Sequence, residues 1–124
     1  MDKWNSLRRR KAALYSKIFK TKKIPLIKPK NYLGRESVYH LYIVRVKKRR
    51  VLQKFLKKEG IETMVHYPVP LHLQEAYSYL GYKKGDFPFS EKIADEILSL
   101  PLYPELEDEN IFKIVDKIEQ FYKR

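Results

Sequence analysis

Wound at about 100° per residue, Trp4, Leu7, Leu14, Tyr15, Ile18 and Phe19 fall within an arc of roughly 140°. That stripe predicts an amphipathic helix over 3–20. Lys11 lies inside the stripe, so its stem is expected to rest on the apolar surface with the ammonium in water. Pro25 and Pro29 end the helical pattern, since proline lacks the amide donor and holds its predecessor extended. Residues 21–35 read as a linker or edge segment. From 38 to 46 the chain runs Val-Tyr-His-Leu-Tyr-Ile-Val-Arg-Val, β-branched and aromatic with Arg45 as its one firm charge. This predicts a central strand, buried on both faces if its near-continuous apolar character is taken at face value.

The next pattern is helical. Val51, Leu52, Phe55 and Leu56 share one face, Lys54, Lys57 and Lys58 the other, and Gly60 stands where a left-handed C-terminal residue belongs. Residues 61–67 read as a second strand, stopped by Pro68 and Pro70 in a stiff turn carrying Leu71 and His72. Residues 74–80 predict a short helix closed by Gly81. A turn follows over 85–88, then a helix over 90–98 on the stripe Ile93, Ala94, Ile97, Leu98. Pro101 and Pro104 bracket a short extended piece. The last helix, 108–122, groups Ile111, Ile114, Val115, Ile118, Phe121 and Tyr122, with Asp108 and Glu109 suited to the positive end of its dipole. No internal repeat or low-complexity tract interrupts this order. The expected fold is one α+β domain over 1–124, a small sheet of a few, mainly antiparallel strands packed with helices.

Composition narrows the chemistry. The chain has 124 residues, 44% hydrophobic, with 17 aromatics among them, enough to build a core. No apolar run approaches the roughly 20 residues that span a bilayer, and charges interrupt the first thirty positions too often for a signal peptide. A cytoplasmic location is therefore expected. The absence of cysteine removes disulfides, thiolate nucleophiles and zinc–thiolate sites. The net charge of +12 is one-sided: residues 1–60 hold 20 lysines and arginines against 3 acidic residues, and residues 61–124 hold 7 against 12. Such asymmetry suits nucleic acid, an acidic protein face, or a surface that another part of the protein neutralises.

One run is unusual enough to carry a family resemblance: His66-Tyr67-Pro68-Val69-Pro70-Leu71-His72. It stands in order with Gly60-Ile61-Glu62-Thr63, Ala76-Tyr77-Ser78-Tyr79-Leu80-Gly81-Tyr82, Gly85-Asp86-Phe87-Pro88 and Ser99-Leu100-Pro101-Leu102-Tyr103-Pro104-Glu105-Leu106. With the strand Tyr39 to Arg45 and the opening Asp2-Lys3-Trp4-Asn5, these motifs resemble the C-terminal region of the DegT/DnrJ/EryC1/StrS aminotransferases over essentially the whole chain. The resemblance implies the small C-terminal domain of a fold-type-I pyridoxal-phosphate enzyme that moves an amino group from glutamate to a nucleotide-linked keto sugar. It also implies that the large domain, with the cofactor-bonding lysine and most of the phosphate cup, lies outside this sequence. A truncated gene product, one half of a split enzyme and a cloned domain are the alternatives. The partner would be that large domain or a second copy of the chain.

Pyridoxal phosphate needs an amine for its aldehyde, a carboxylate for its ring nitrogen and donors for its phosphate. None of the 19 lysines stands in a context that would desolvate it, and the four glycines are isolated. The chain alone is therefore expected to hold no cofactor and to be inactive in transamination. In the family the 66–72 segment faces the active-site cleft, so His66, Tyr67 and His72 are the expected substrate-binding residues. Imidazole and phenol exchange hydrogen bonds with sugar hydroxyls and pack on rings. Arg45 joins them as a partner for a substrate carboxylate, with a structural ion pair as the competing role. His40 reads as a hydrogen-bonded core histidine. His66, His72 and Glu75 fall short of a zinc set, so no metal is expected.

The rival reading is a basic nucleic-acid-binding or protein-interaction module, built on Arg8-Arg9-Arg10-Lys11 and Lys47-Lys48-Arg49-Arg50 with Lys54, Lys57 and Lys58. The aromatics sit in apolar patterns and no recognition motif is present, so a dedicated nucleic-acid reader is not expected.

Overall fold

The computed structural model describes residues 1–32 and 34–124; Leu33, in the linker, lies outside the described residues. The first stripe folds as α1 (Asp2–Thr21), and its buried residues are Lys11, Ala12, Tyr15, Ile18 and Phe19. Trp4 is more than half exposed, so the buried face begins a turn or two into the helix. Lys11 departs from expectation. It is 4% exposed, and its ammonium donates to the Leu106 carbonyl and lies 3.6 Å from Asp108 Oδ1. With a carbonyl and a carboxylate at hand, the charge is satisfied inside the fold instead of in water.

The linker contributes an edge bridge in which the Ile27 amide donates to the Arg45 carbonyl at 3.0 Å and the Arg45 amide donates to the Ile27 carbonyl at 2.8 Å. The central strand, β1 (Tyr42–Arg45), is shorter than the apolar run. Tyr39 takes φ +49° and its amide donates to Ser37 Oγ, which breaks the extended backbone before Tyr42. His40 is consequently exposed and not a core residue. Nor is β1 buried on both faces: Tyr42 and Val44 are fully buried, while Ile43 and Arg45 are only partly so.

The helix α2 (Arg49–Lys58) buries Leu52, Phe55 and Leu56 and ends at Gly60, which adopts the left-handed φ of +76°. Arg49, expected in a solvated basic run, is buried and donates to the carbonyls of Ala94 and Asp95. It thereby satisfies two orphan carbonyls at the end of the following helix, α3 (Pro88–Glu96). The expected strand over 61–67 reduces to a single bridge, Met64 to Ser99. Residues 74–80 form a 3₁₀ helix over Glu75–Leu80, closed by Gly81 at φ +75°.

The stripe assigned to a helix over 90–98 is divided. α3 stops at Glu96, and β2 (Ile97–Leu100) is a strand with every residue buried. β2 pairs antiparallel with β1 in the register Tyr42–Leu100, Ile43–Ser99, Val44–Leu98, Arg45–Ile97. With the two isolated bridges the ladder runs Ile27, β1, β2, Met64, a small α+β sheet. The terminal helix, α4 (Asp108–Lys123), packs on α1 and α2 and completes the core through Ile111, Ile114, Val115 and Ile118.

Polar ties hold the helices in place. Lys22 bridges Asp116 Oδ1 (2.9 Å) and Glu119 Oε2 (2.5 Å), and Lys117 reaches Glu59 at 2.6 Å. Among the described residues no helix is long and apolar enough to cross a membrane.

Candidate functional site

The segment after α2 carries the site because prolines 68 and 70 hold it off the sheet while the Met64–Ser99 bridge anchors its start. His66 is fixed two residues after that anchor by a 2.9 Å hydrogen bond between its Nδ1 and Ser99 Oγ on β2. Tyr67, next in sequence, packs edge-on against the His66 ring at 5.6 Å yet keeps 70% of its surface exposed. A phenol presented this way is free to meet a ligand or another protein surface.

His72 is held differently. Its Nε2 donates to Glu91 Oε1 at 3.0 Å, and the same oxygen accepts the Gly85 amide at 2.8 Å. The Gly85 amide, and after it the burial-opposed bond from His72, hold the Glu91 carboxyl below its ordinary range. The His72 ring lies 4.8 Å from Phe87, which in turn meets Tyr82 edge-on at 5.1 Å. Tyr67 and His72 thus line one open cavity of about 590 Å³, floored by Ile93, Ala94 and Ile97 of α3 and β2 and walled by Tyr77 and Phe87.

His66 and Arg45 do not line that cavity. Arg45 sits opposite Ile97 in the ladder, and its guanidinium holds Glu96 Oε2 through Nη2 (2.7 Å) and Nε (3.2 Å) while lying 5.8 Å from the Phe89 ring centre. The ion pair is formed; a substrate carboxylate would have to compete with Glu96. Sequence reasoning named the four side chains but missed their holders, Ser99, Glu91 and Glu96, which lie 33, 19 and 51 positions away. No local pattern signals such pairings.

The cavity does not fit pyridoxal phosphate by itself. None of its lining residues is a lysine. Lys11, the one buried lysine among the described residues, is tied to Leu106 and Asp108 beside Arg10, and the residues around it share none with the cavity. Among the described residues no group of three His, Asp or Glu side chains could hold a metal ion. The first basic cluster is spent internally: Arg8 on Asn5, Arg9 on Glu36 and Ser37, Arg10 on Asp108.

Known proteins match this arrangement along its whole length. A "Pleiotropic regulatory protein" of Geobacillus stearothermophilus is 47% identical over 99% of the chain, which covers 33% of that protein. The dTDP-3-amino-3,4,6-trideoxy-alpha-D-glucose transaminase of Streptomyces venezuelae is 35% identical over 100% of the chain and 32% of its own length. Among solved structures, S. venezuelae DesV superposes with a TM-score of 0.93 at 34% identity, covering 99% of this chain and 33% of that one. The chain spans about a third of the length of the curated relatives it matches. The profile of the DegT/DnrJ/EryC1/StrS aminotransferase family matches residues 1–119. By that match and by its fold, the chain belongs to the DegT/DnrJ/EryC1/StrS aminotransferase family.

Proposed function

We propose that this chain is the small C-terminal domain of a pyridoxal-phosphate-dependent nucleotide-sugar aminotransferase, and that it works only beside a large domain that supplies the cofactor-bonding lysine. The observation that carries the reading is the cavity bordered by Tyr67 and His72: aromatic, open, and without an amine. A surface of that kind suits a sugar ring and its hydroxyls, whereas the electron-sink chemistry belongs to a cofactor bound elsewhere. Tyr67 offers its hydroxyl toward the substrate, His66, tied to Ser99 outside the cavity, steadies the segment that carries Tyr67, and His72, locked by Glu91, fixes the wall's shape. Arg45 stands by as a cation for a carboxylate, held by Glu96 until one arrives. The large domain or a second copy of the chain completes the site, and the whole works in the cytoplasm. The relatives whose names specify dTDP-sugar transaminases support the substrate class.

The test exchanges the C-terminal third of the S. venezuelae transaminase for this chain and measures amino transfer to the keto sugar. The graft is expected to turn over, and Tyr67→Ala within it to lose about tenfold or more in kcat/KM. A folded graft with no turnover, or one indifferent to Tyr67→Ala, contradicts the reading.

A further inference from the structure

A second concavity, about 790 Å³, lies between α2 and the end of α4 and shares no lining residue with the Tyr67–His72 cavity. Its floor is apolar: Phe55 and Phe121 lie 5.7 Å apart, and Tyr122 meets Phe121 edge-on at 5.2 Å. Val51, 56% exposed, stands at its margin. The Tyr122 hydroxyl is buried with no hydrogen-bond partner among the described residues.

The rim is cationic. Lys47, Lys48, Lys54 and Lys58 line it, none has a carboxylate within 4.0 Å among the described residues, and no acidic residue lines the groove. Val51, Lys54 and Lys58 follow one another on α2 at intervals of three and four, and Lys47 and Lys48 stand just ahead of the helix. By contrast Lys22, Arg45 and Lys117 are each held by a carboxylate. Four unpaired lysines around an apolar floor are the complement of a surface that is apolar along one line and acidic on both sides of it.

We propose that this groove docks an acidic amphipathic helix of a partner protein, with apolar side chains on Phe121, Tyr122 and Val51 and carboxylates on the four lysines. Nucleic acid fits less well. Phosphates have no use for the apolar floor, and the Phe55 ring, 8% exposed, already carries the Arg124 guanidinium at 4.5 Å, so that ring offers no free face for a base.

The test uses the full chain and fluorescence anisotropy at physiological salt. The probe is a labelled helical peptide of about sixteen residues with leucines on one face and glutamates beside them. The comparison peptide carries serine for each leucine, and a short DNA duplex is the third probe. The amphipathic peptide is expected to bind saturably, about tenfold more tightly than its serine counterpart. The double variant Lys54→Glu/Lys58→Glu, and separately Val51→Ser, are expected to weaken it about tenfold and several-fold. Both alter exposed side chains, and circular dichroism checks the fold. Equal binding of the two peptides, preference for the duplex, indifference to both variants, or no saturable binding overturns the proposal and leaves the Tyr67–His72 reading untouched.

Discussion

Arg45 and Glu96 are clasped across the end of the sheet, two guanidinium nitrogens on one carboxylate oxygen at 2.7 and 3.2 Å. Both side chains are mostly shielded from water, 24% and 17% exposed. The backbone repeats the tie, with the Val46 amide donating to the Glu96 carbonyl at 2.9 Å. A pair this sheltered has structural weight, because losing one partner leaves the other charge without compensation. Glu96→Gln is expected to destabilise the chain by about 1–3 kcal/mol in urea unfolding. In the grafted enzyme the same change is expected to lower KM for a carboxylate-bearing amino donor by releasing Arg45. An unchanged KM with lost stability assigns Arg45 to structure alone.

Lys11 supplies a second prediction. Its ammonium serves the Leu106 carbonyl just before α4 begins, while Asp108 in the first turn answers its charge and Arg10 holds the same carboxylate. Lys11→Met removes the donor and is expected to cost about 2 kcal/mol, measured by chemical denaturation. A neutral result would mean that the Leu106 carbonyl finds water on its own.

Two tyrosines set the alkaline limit. Burial raises the Tyr15 hydroxyl well above its ordinary range, and burial likewise pushes Tyr42 up to about 12. Tyr15 donates to the Pro101 carbonyl, and Tyr42 shares a 2.8 Å bond with Ser16. Below pH 10 both phenols are neutral folded or unfolded, and their contribution is intact. Above pH 10 the unfolded chain ionises first, so stability falls as pH rises toward 12. Tyr42→Phe is expected to remove one proton's worth of that slope, about 1.4 kcal/mol per pH unit. Denaturation midpoints between pH 10 and 12 check it; an unaltered slope contradicts the assignment.

The Glu91 carboxyl acts at the other end of the scale. Its lowered pKa stems first from the Gly85 amide, so the stabilisation is present above the ordinary carboxylate range and is lost as pH falls through the lowered folded value. Glu91→Gln is expected to flatten that acid limb and to speed hydrogen exchange at the Gly85 amide. Unchanged exchange would show that His72 and the 85–91 turn hold together without the carboxylate.

The sequence made the long helices legible and their junctions obscure. α1, α2 and α4 follow from apolar periodicity because each buries one face against the others. β2 escaped because Ile93, Ala94, Ile97 and Leu98 satisfy a helical stripe as well as a strand. What ends the helix is the extended backbone at Ile97, φ −73° and ψ 139°, and its pairing with β1 fifty residues earlier. The central strand shrank for a local reason, the Ser37–Tyr39 turn. His66, Tyr67 and His72 were found through their family motif; Ser99 and Glu91, which hold the histidines, required the fold.

The proposed function requires that this chain shape a substrate wall and offer no amine to the cofactor. Incubation with pyridoxal phosphate, reduction with borohydride and peptide mass spectrometry measure this directly. Sparse labelling spread over exposed lysines is expected. One lysine labelled stoichiometrically, with amino transfer by the unaided chain, would contradict it.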